Sequence, residues 1–313
     1  LWRAFGLPWA AGTLAFLALE PTVAAHMPVV MTDLPLGLTL AIAALCTGLL
    51  ATTWRWRWAV ATGLAMGLAL TAKHSALAGL AGLALMLVAA AAWGLRTSPR
   101  EALRRTAMGA TAALLALVVL WGAYDFRFKA DPDGRDHYNR PIAEKIGELR
   151  LPHSQQSLAF ADRHALLPES YLWGLADTVR TGVEGRSGSL FRIWGTLYEG
   201  TPPWFSWPAI VASKLPLALM ALALAGLLAC ARAARDATLR WPLLAVALAC
   251  AFHMAALVGS GGVWGGVRHA LPVVLGLAIG AGAALDWAWR RPSRAWLALV
   301  AVPYVAAFAM TIR

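Results

Sequence analysis

Apolar residues come along this chain in blocks of roughly twenty, separated by short polar or charged turns. Blocks of that length match a bilayer core, which about 20 helical residues cross. The pattern predicts membrane helices over about 8–24, 34–53, 58–72, 75–94, 106–124, 208–230, 241–258, 270–288 and 295–311. The third is short and leads almost directly into the fourth, so that pair reads as a tight helical hairpin or a broken helix. One long polar segment interrupts the series. The chain therefore divides into 1–124, with about five membrane helices, a loop over 125–207, and 208–313, with about four. Within the loop, RPIAEKIGELRL and SQQSLAFADRHALL carry apolar residues at helical spacing. Such helices suit a place at the membrane interface; a small packed cap is the plainer alternative. The expected fold class is an all-α polytopic membrane protein.

Composition agrees. The 313 residues are 59% hydrophobic and 14% charged, with a mean hydropathy of +0.61, where soluble domains average about 25% charged residues. The net charge of +11 has a topological origin. Arg3, Arg55, Arg57, Arg96, Arg100, Arg104, Arg105, Arg232, Arg235, Arg240, Arg290, Arg291 and Arg294 fall on one set of connections, while the alternate short connections hold only Lys73 and Arg268. The positive-inside rule puts the arginine-rich set in the cytoplasm and the long, nearly neutral loop outside. Tryptophans 54, 56, 58, 93, 204, 207, 241, 289 and 296 flank the spans as an interfacial belt, so WRWRW at 54–58 reads as a lipid anchor. No nucleic-acid partner is needed to explain the basic pI. Cys46, Cys230 and Cys250 lie in apolar runs without metal-ligand spacing and read as small hydrophobes. The chain begins at Leu1 rather than Met, and reads as a piece of a longer protein.

Against this background the ionisable residues stand out. ALEPTVAAHMPVVMTDLPLGL, 18–38, holds Glu20, His26 and Asp33 between two apolar runs. Lys73 and His74 sit between the third and fourth spans, Lys214 just inside the sixth, Arg268 and His269 before the eighth. A charge within a bilayer costs roughly 2.5–3.5 kcal/mol on insertion scales. Singly, each has a structural explanation: Glu20 at the interface, His26 as a loop histidine, Asp33 as a helix N-cap, Lys73 and Lys214 snorkelling, Arg268 and His269 pairing with loop acids. Collected on the outer side, they point to a site. Cations near a membrane surface suit a lipid phosphate, and a carboxylate facing a wet cleft suits a general base or an acceptor-binding group. Glu199, in LYEG beside aromatics, is a candidate for the acceptor cleft, or else a surface glutamate. No metal motif is visible; Asp33 with His26 or His269 is a weak alternative for a divalent ion. GSGGVWGGVRH, 259–269, follows no strand and reads as an irregular loop, not a nucleotide fingerprint. Gly63/Gly67 and Gly276/Gly280 have the spacing of helix-packing pairs.

ALEPTVAAHMPVVMTDLPLGL resembles a stretch in bacterial relatives of the protein O-mannosyltransferases, where a helix ends at Pro, then Ala-His, then a Thr-Asp opening the next helix. GLAMGLALTAKHSAL (63–77), LPESYLWGL (167–175) with GTLYEGTPPWFSWPAIVASKLPL (195–217), and GVRHALPVVLGLAIGAG (266–282) resemble further segments of that family, in the same order. The family belongs to the GT-C glycosyltransferases. The resemblance implies a GT-C-like bundle of about nine membrane helices with its active site at the outer face of a bacterial plasma membrane. It also implies a polyprenyl-phosphate sugar donor, inversion at the anomeric carbon, and an acceptor that is protein, lipid or glycan, with no cofactor evident. Asp33 matches the second acidic position and is the catalytic candidate, and His26 matches the preceding histidine. Lys73, Lys214 and Arg268 are expected to hold the lipid phosphate as charge builds on the leaving group, with His74, His269 and Glu199 as further substrate-binding candidates. The family's first outer loop, whose acidic residue is the expected base, falls before Leu1. Two other readings remain: a transporter or flippase of a lipid-linked sugar, which the lack of an internal repeat and the one-sided polar residues argue against, and a noncatalytic truncated homologue.

Overall fold

A computed structural model describes residues 1–131, 138–185, 190–262, 266–291 and 293–311. The helices are α1 (Trp2–Phe5), α2 (Leu7–Leu19), α3 (Pro21–His26), α4 (Asp33–Thr53), α5 (Trp56–Ala72), α6 (Ala76–Ala92), α7 (Pro99–Gly122), α8 (Ile142–Gly147), α9 (Pro152–Arg163), α10 (Glu169–Thr178), α11 (Ser206–Lys214), α12 (Leu217–Ala233), α13 (Ala237–Val258), α14 (Leu271–Trp289) and α15 (Arg294–Thr311). A hairpin of β1 (Leu190–Ile193) and β2 (Thr196–Glu199) lies between α10 and α11. Five segments are long and apolar enough to cross a membrane: Asp33–Thr53, Ala76–Arg96, Pro99–Gly122, Ala237–Val258 and Gly266–Trp289. The pair α11 and α12 makes a sixth if counted as one broken span, and α2 and α15 are shorter apolar helices. Leu14, Leu38, Leu64, Val88, Leu114, Leu224 and Val302 point outward from these helices, as apolar side chains do where the surrounding medium is hydrocarbon. The chain is a helical, multi-pass membrane protein.

Prolines revise the expected spans. The run 8–24 ends at Leu19, because Glu20 is extended (φ −80°, ψ 113°) and Pro21 opens a separate short helix. The run 208–230 breaks at Pro216, where α11 and α12 are bent by 117°. Hydropathy sums are blind to both events. The helices α5 and α6 share the turn 73–75 but diverge from it, as neither a tight hairpin nor one broken helix: α5 lies against α4 and α7, and α6 against α13.

Small residues set how closely the helices approach. A Cβ on Gly63 or Gly67 would strike α7 at Ala112 and Leu115 or at Ala116 and Val119, so this glycine pair does form a contact face. Gly276 and Gly280 serve two different neighbours, Cys250 on α13 and Gly226 on α12. One buried cluster joins Leu40, Ala43, Leu83, Met86 and Leu243, and a second joins Phe16, Trp207, Leu219, Leu271 and Val274.

At the arginine-rich end, guanidinium groups are tied to indoles and helix ends. Arg96 stacks on Trp93 at 3.5 Å, Arg291 lies 4.7 Å from Trp287, and Arg105 5.0 Å from Trp54. Arg104 donates to the carbonyl of Trp54 and, with Arg105, to Glu101. Arg290 pairs with the buried Asp286 at 2.8 Å. The opposite end, called the loop face below, carries the segments 20–32, 73–75, 123–131, 138–185, 190–205, 259–262 and 266–270. Its long segment has a core of its own: Ile142, Ile146, Leu149, Leu158, Leu172 and Ala176 pack together. The two helices expected there are present as α8 and α9, and they build this small cap with α10.

The crossing of α12 and α14 has no room for a methyl group at Gly226, whose Cβ would meet the backbone of Gly280. Gly226→Ala is expected to cost about 1–3 kcal/mol by overpacking. Gly109→Ala, on α7 where no atom lies within 4 Å of the added Cβ, should be neutral or stabilise by up to about 1 kcal/mol. Thermal unfolding of the two variants in detergent micelles distinguishes them.

Candidate functional site

Three helix ends converge on the loop face. Asp33 is the first residue of α4, Lys73 follows the last turn of α5 in extended conformation (φ −167°, ψ 142°), and His269 lies on a 3-10 turn, Gly266–Ala270, leading into α14. The Lys73 Nζ is 2.5 Å from Asp33 Oδ1 and 3.0 Å from His269 Nδ1, and His269 Nδ1 is 3.4 Å from the same Asp33 oxygen. The N-cap position, the alternative structural explanation for Asp33, is held by Thr32, and the Asp33 side chain is turned to the cluster. As a carboxylate in the first turn it also meets the positive end of the helix dipole. The Asp33 side chain is 5% exposed, against 23% for Lys73 and 25% for His269, so the carboxylate is sealed and the cationic side is open. Burying an unpaired carboxylate costs several kcal/mol, and the ammonium offsets it.

Two further residues hold this arrangement. His253, fully buried within α13, has Nε2 2.8 Å from the carbonyl of His269. Its N–H fixes the 3-10 turn that presents the His269 ring. Trp207, on α11, meets that ring edge-on at 6.2 Å. Sequence reasoning passed over His253, although a lone imidazole in the apolar run AFHMAAL was the signal. Glu20 was noted but not carried to the site. It is fully buried, its Oε2 accepts from the Val23 amide at 2.6 Å, and Oε1 has no hydrogen-bond partner among the described residues.

His74, one residue after Lys73, turns the other way. Its Nε2 is 3.1 Å from the carbonyl of Tyr171 in α10, its ring lies 4.5 Å from the Tyr171 ring, and Thr178 Oγ1 is 3.4 Å from Nδ1. Gly174 leaves room for the imidazole, since a Cβ there would sit 2.7 Å from Cε1. Burial pushes the His74 pKa below its ordinary value, and the bond to Tyr171 opposes this only partly. The neutral tautomer that donates from Nε2 satisfies the contact to the Tyr171 carbonyl. His74 thus docks the cap and does not join the cluster. Elsewhere in the cap, Glu169 pairs with Lys129, and Lys145, stacked 3.9 Å from Trp173, pairs with Asp177 at 2.7 Å.

The remaining expected site residues do not converge. His26 Nδ1 lies 2.6 Å from the carbonyl of Thr22 and closes α3, a local structural role. Glu199 is exposed on β2. Lys214, exposed at the end of α11, and Arg268, exposed beside His269, make no ion pair among the described residues. A polar side chain close to an apolar run has a depth but no assigned direction, and direction separates Lys73 from Lys214. Among the described residues no group of three or more His, Cys, Asp or Glu is placed to hold a metal ion, and beside Asp33 and His269 the nearby cation is the Lys73 ammonium.

The chain matches no protein-family model, no curated protein and no solved structure.

Because Asp33 and Lys73 share one contact, their substitutions should not add. Asp33→Asn and Lys73→Met together are expected to cost less than the sum of the singles by about 0.5–3 kcal/mol, read as unfolding free energies in micelles. The pH dependence of cap docking follows from His74. Its folded pKa is depressed, so the stabilisation is complete above the unfolded value near 6.5 and is lost as pH falls below it. Protection factors over 171–178, which correct exchange for its intrinsic pH dependence, should fall below about pH 6.5, and His74→Gln should remove that pH dependence.

Proposed function

We propose that the chain is a GT-C type glycosyltransferase that moves a sugar from a polyprenyl-phosphate donor to an acceptor at the outer face of a bacterial plasma membrane. One observation carries the reading: a sealed carboxylate, a half-open ammonium and an imidazole, drawn from three distant parts of the chain, meet at the loop face of a membrane bundle. An ammonium has three N–H donors. Two can stay on Asp33 and His269 while the third reaches a phosphate oxygen from the open side.

The chemistry assigned to these groups is displacement at the anomeric carbon. The acceptor hydroxyl forms the new C–O bond as the bond from the sugar to the phosphate oxygen breaks. The electron pair of that bond leaves with the polyprenyl phosphate, and the hydroxyl proton passes to solvent water on the open side of the cluster. Lys73 and His269 stabilise the charge that grows on the leaving phosphate, and fixed charges aimed at such a centre are commonly the largest catalytic contribution. Asp33 holds the Lys73 side chain in place and aimed. Arg268 and Lys214, exposed on neighbouring loop-face elements, draw the anionic headgroup toward the site. Orientation follows from the arginine-rich connections, which the positive-inside rule assigns to the cytoplasm. The cap then lies outside, beside the site, joined to it through His74.

The test uses the full chain in liposomes with a radiolabelled polyprenyl-phosphate hexose. Lys73→Met and Asp33→Asn are each expected to lower sugar transfer by about 100-fold or more with unchanged membrane insertion. Lys214→Ala, remote from the cluster's contacts, should lower it less than about 10-fold. Wild-type rates in both cluster variants reject the assignment.

A further inference from the structure

The hairpin and the helix that follows it form an aromatic assembly of unusual exposure. The strands β1 and β2 pair antiparallel, with Phe191 opposite Tyr198 and Ile193 opposite Thr196. The two-residue turn between them is Trp194–Gly195, with φ 47° and 86°. A turn with both central residues at positive φ is the usual hairpin turn, and it favours Asn or Asp before Gly. Here a tryptophan occupies the strained first position, and its indole, 72% exposed, is the tip of the hairpin. Trp204 is 74% exposed, and Leu190 and Leu197 are also largely exposed. A two-stranded hairpin is at best marginally stable in water, and this one presents apolar groups outward.

Its attachment places it relative to the membrane bundle. The Trp194 indole N–H donates to Ser213 Oγ on α11 at 2.8 Å, and its ring stacks with Phe205 at 6.3 Å. Phe205 also meets Tyr198 and Trp204 edge-on, at 6.4 and 6.0 Å. Helix α11 turns from α12 by 117°, so it runs closer to perpendicular than collinear with that span. Its inner side, Trp207, Ala209 and Val211, is buried against the bundle, while Ser213 and Lys214 are outward. Leu217, which opens α12 at this end, is exposed. The hairpin is thus continuous with the rim of the bundle, at the level where α12 begins.

We propose that the hairpin 190–199, with Trp204 and the outer flank of α11, is an interfacial anchor whose rings lie in the phospholipid headgroup layer on the loop face. Amphipathic indoles concentrate at that depth. The Trp194 N–H is already satisfied by Ser213, so its ring enters the acyl boundary without an unmet donor. The exposed Lys214 lies at the same level, where phosphate headgroups are, and Arg192 and Glu199 are the polar partners among the outward strand residues. This assignment is independent of the reaction proposed above.

The experiment is spin-label accessibility in nanodiscs of phosphatidylethanolamine and phosphatidylglycerol, in a background with Cys46, Cys230 and Cys250 replaced by Ala. Labels at Leu197→Cys and Trp204→Cys are expected to favour collision with dioxygen over a water-soluble nickel chelate at least about threefold more than a label at Phe160→Cys on the cap. Equal preference at all three positions would overturn the anchor. If the cysteine-free chain does not fold, bromolipid quenching of the unlabelled protein decides. Trp194→Phe with Trp204→Phe should lower the quenchable share of the fluorescence, and a loss confined to unquenchable fluorescence contradicts the proposal.

Discussion

The ion pair between Asp33 and Lys73 is the constraint that the loop face is arranged around. Asp33 is sealed from solvent at the start of α4, and a carboxylate there is stable only if a cation reaches it. Lys73 reaches it because α5 stops at Ala72 and the next residue is extended. His269 reaches it because His253 holds the carbonyl of the preceding 3-10 turn. One electrostatic requirement therefore fixes the ends of α4, α5 and α14 relative to each other. The same requirement leaves a polar cluster in which the Lys73 and His269 side chains stay partly exposed.

Packing below that end relies on missing side chains. The contacts α5–α7 and α12–α14 are close because Gly63, Gly67, Gly226 and Gly280 present no Cβ to the facing backbone. In hydrocarbon, where apolar side chains gain little by leaving the solvent, dispersion across such close crossings is the main attraction between helices. The arginine-rich end is fastened differently, through guanidinium–indole stacking and carbonyl contacts. The bundle thus has a packed middle, a cationic aromatic rim at one end and a sealed ion pair at the other.

Much of this was legible in the sequence, and the parts that were not share a cause. Apolar block length located most helices, including α4, α6, α7, α13 and α14, because depth in a bilayer is a one-dimensional property. It missed the breaks at Pro21 and Pro216, since proline changes direction without lowering hydropathy much. It missed β1 and β2, each four residues long and too short for a periodic signal. Of the expected site, Asp33, Lys73 and His269 meet, while His26, Glu199, Lys214 and Arg268 do not join them. Lys73 and Lys214 look alike in sequence, each a lysine ending an apolar helix. What differs is azimuth, the side of the helix end from which the side chain leaves, and that depends on neighbours distant in the chain, 40 and 196 residues away for Lys73.

The adjacency of Lys73 and His74 has a mechanical consequence. The two side chains leave neighbouring positions toward different partners, Lys73 toward Asp33 and His74 toward the carbonyl of Tyr171. One dipeptide therefore pins both the polar cluster of the bundle and the cap, and a substitution that displaces either side chain pulls on backbone that the other holds.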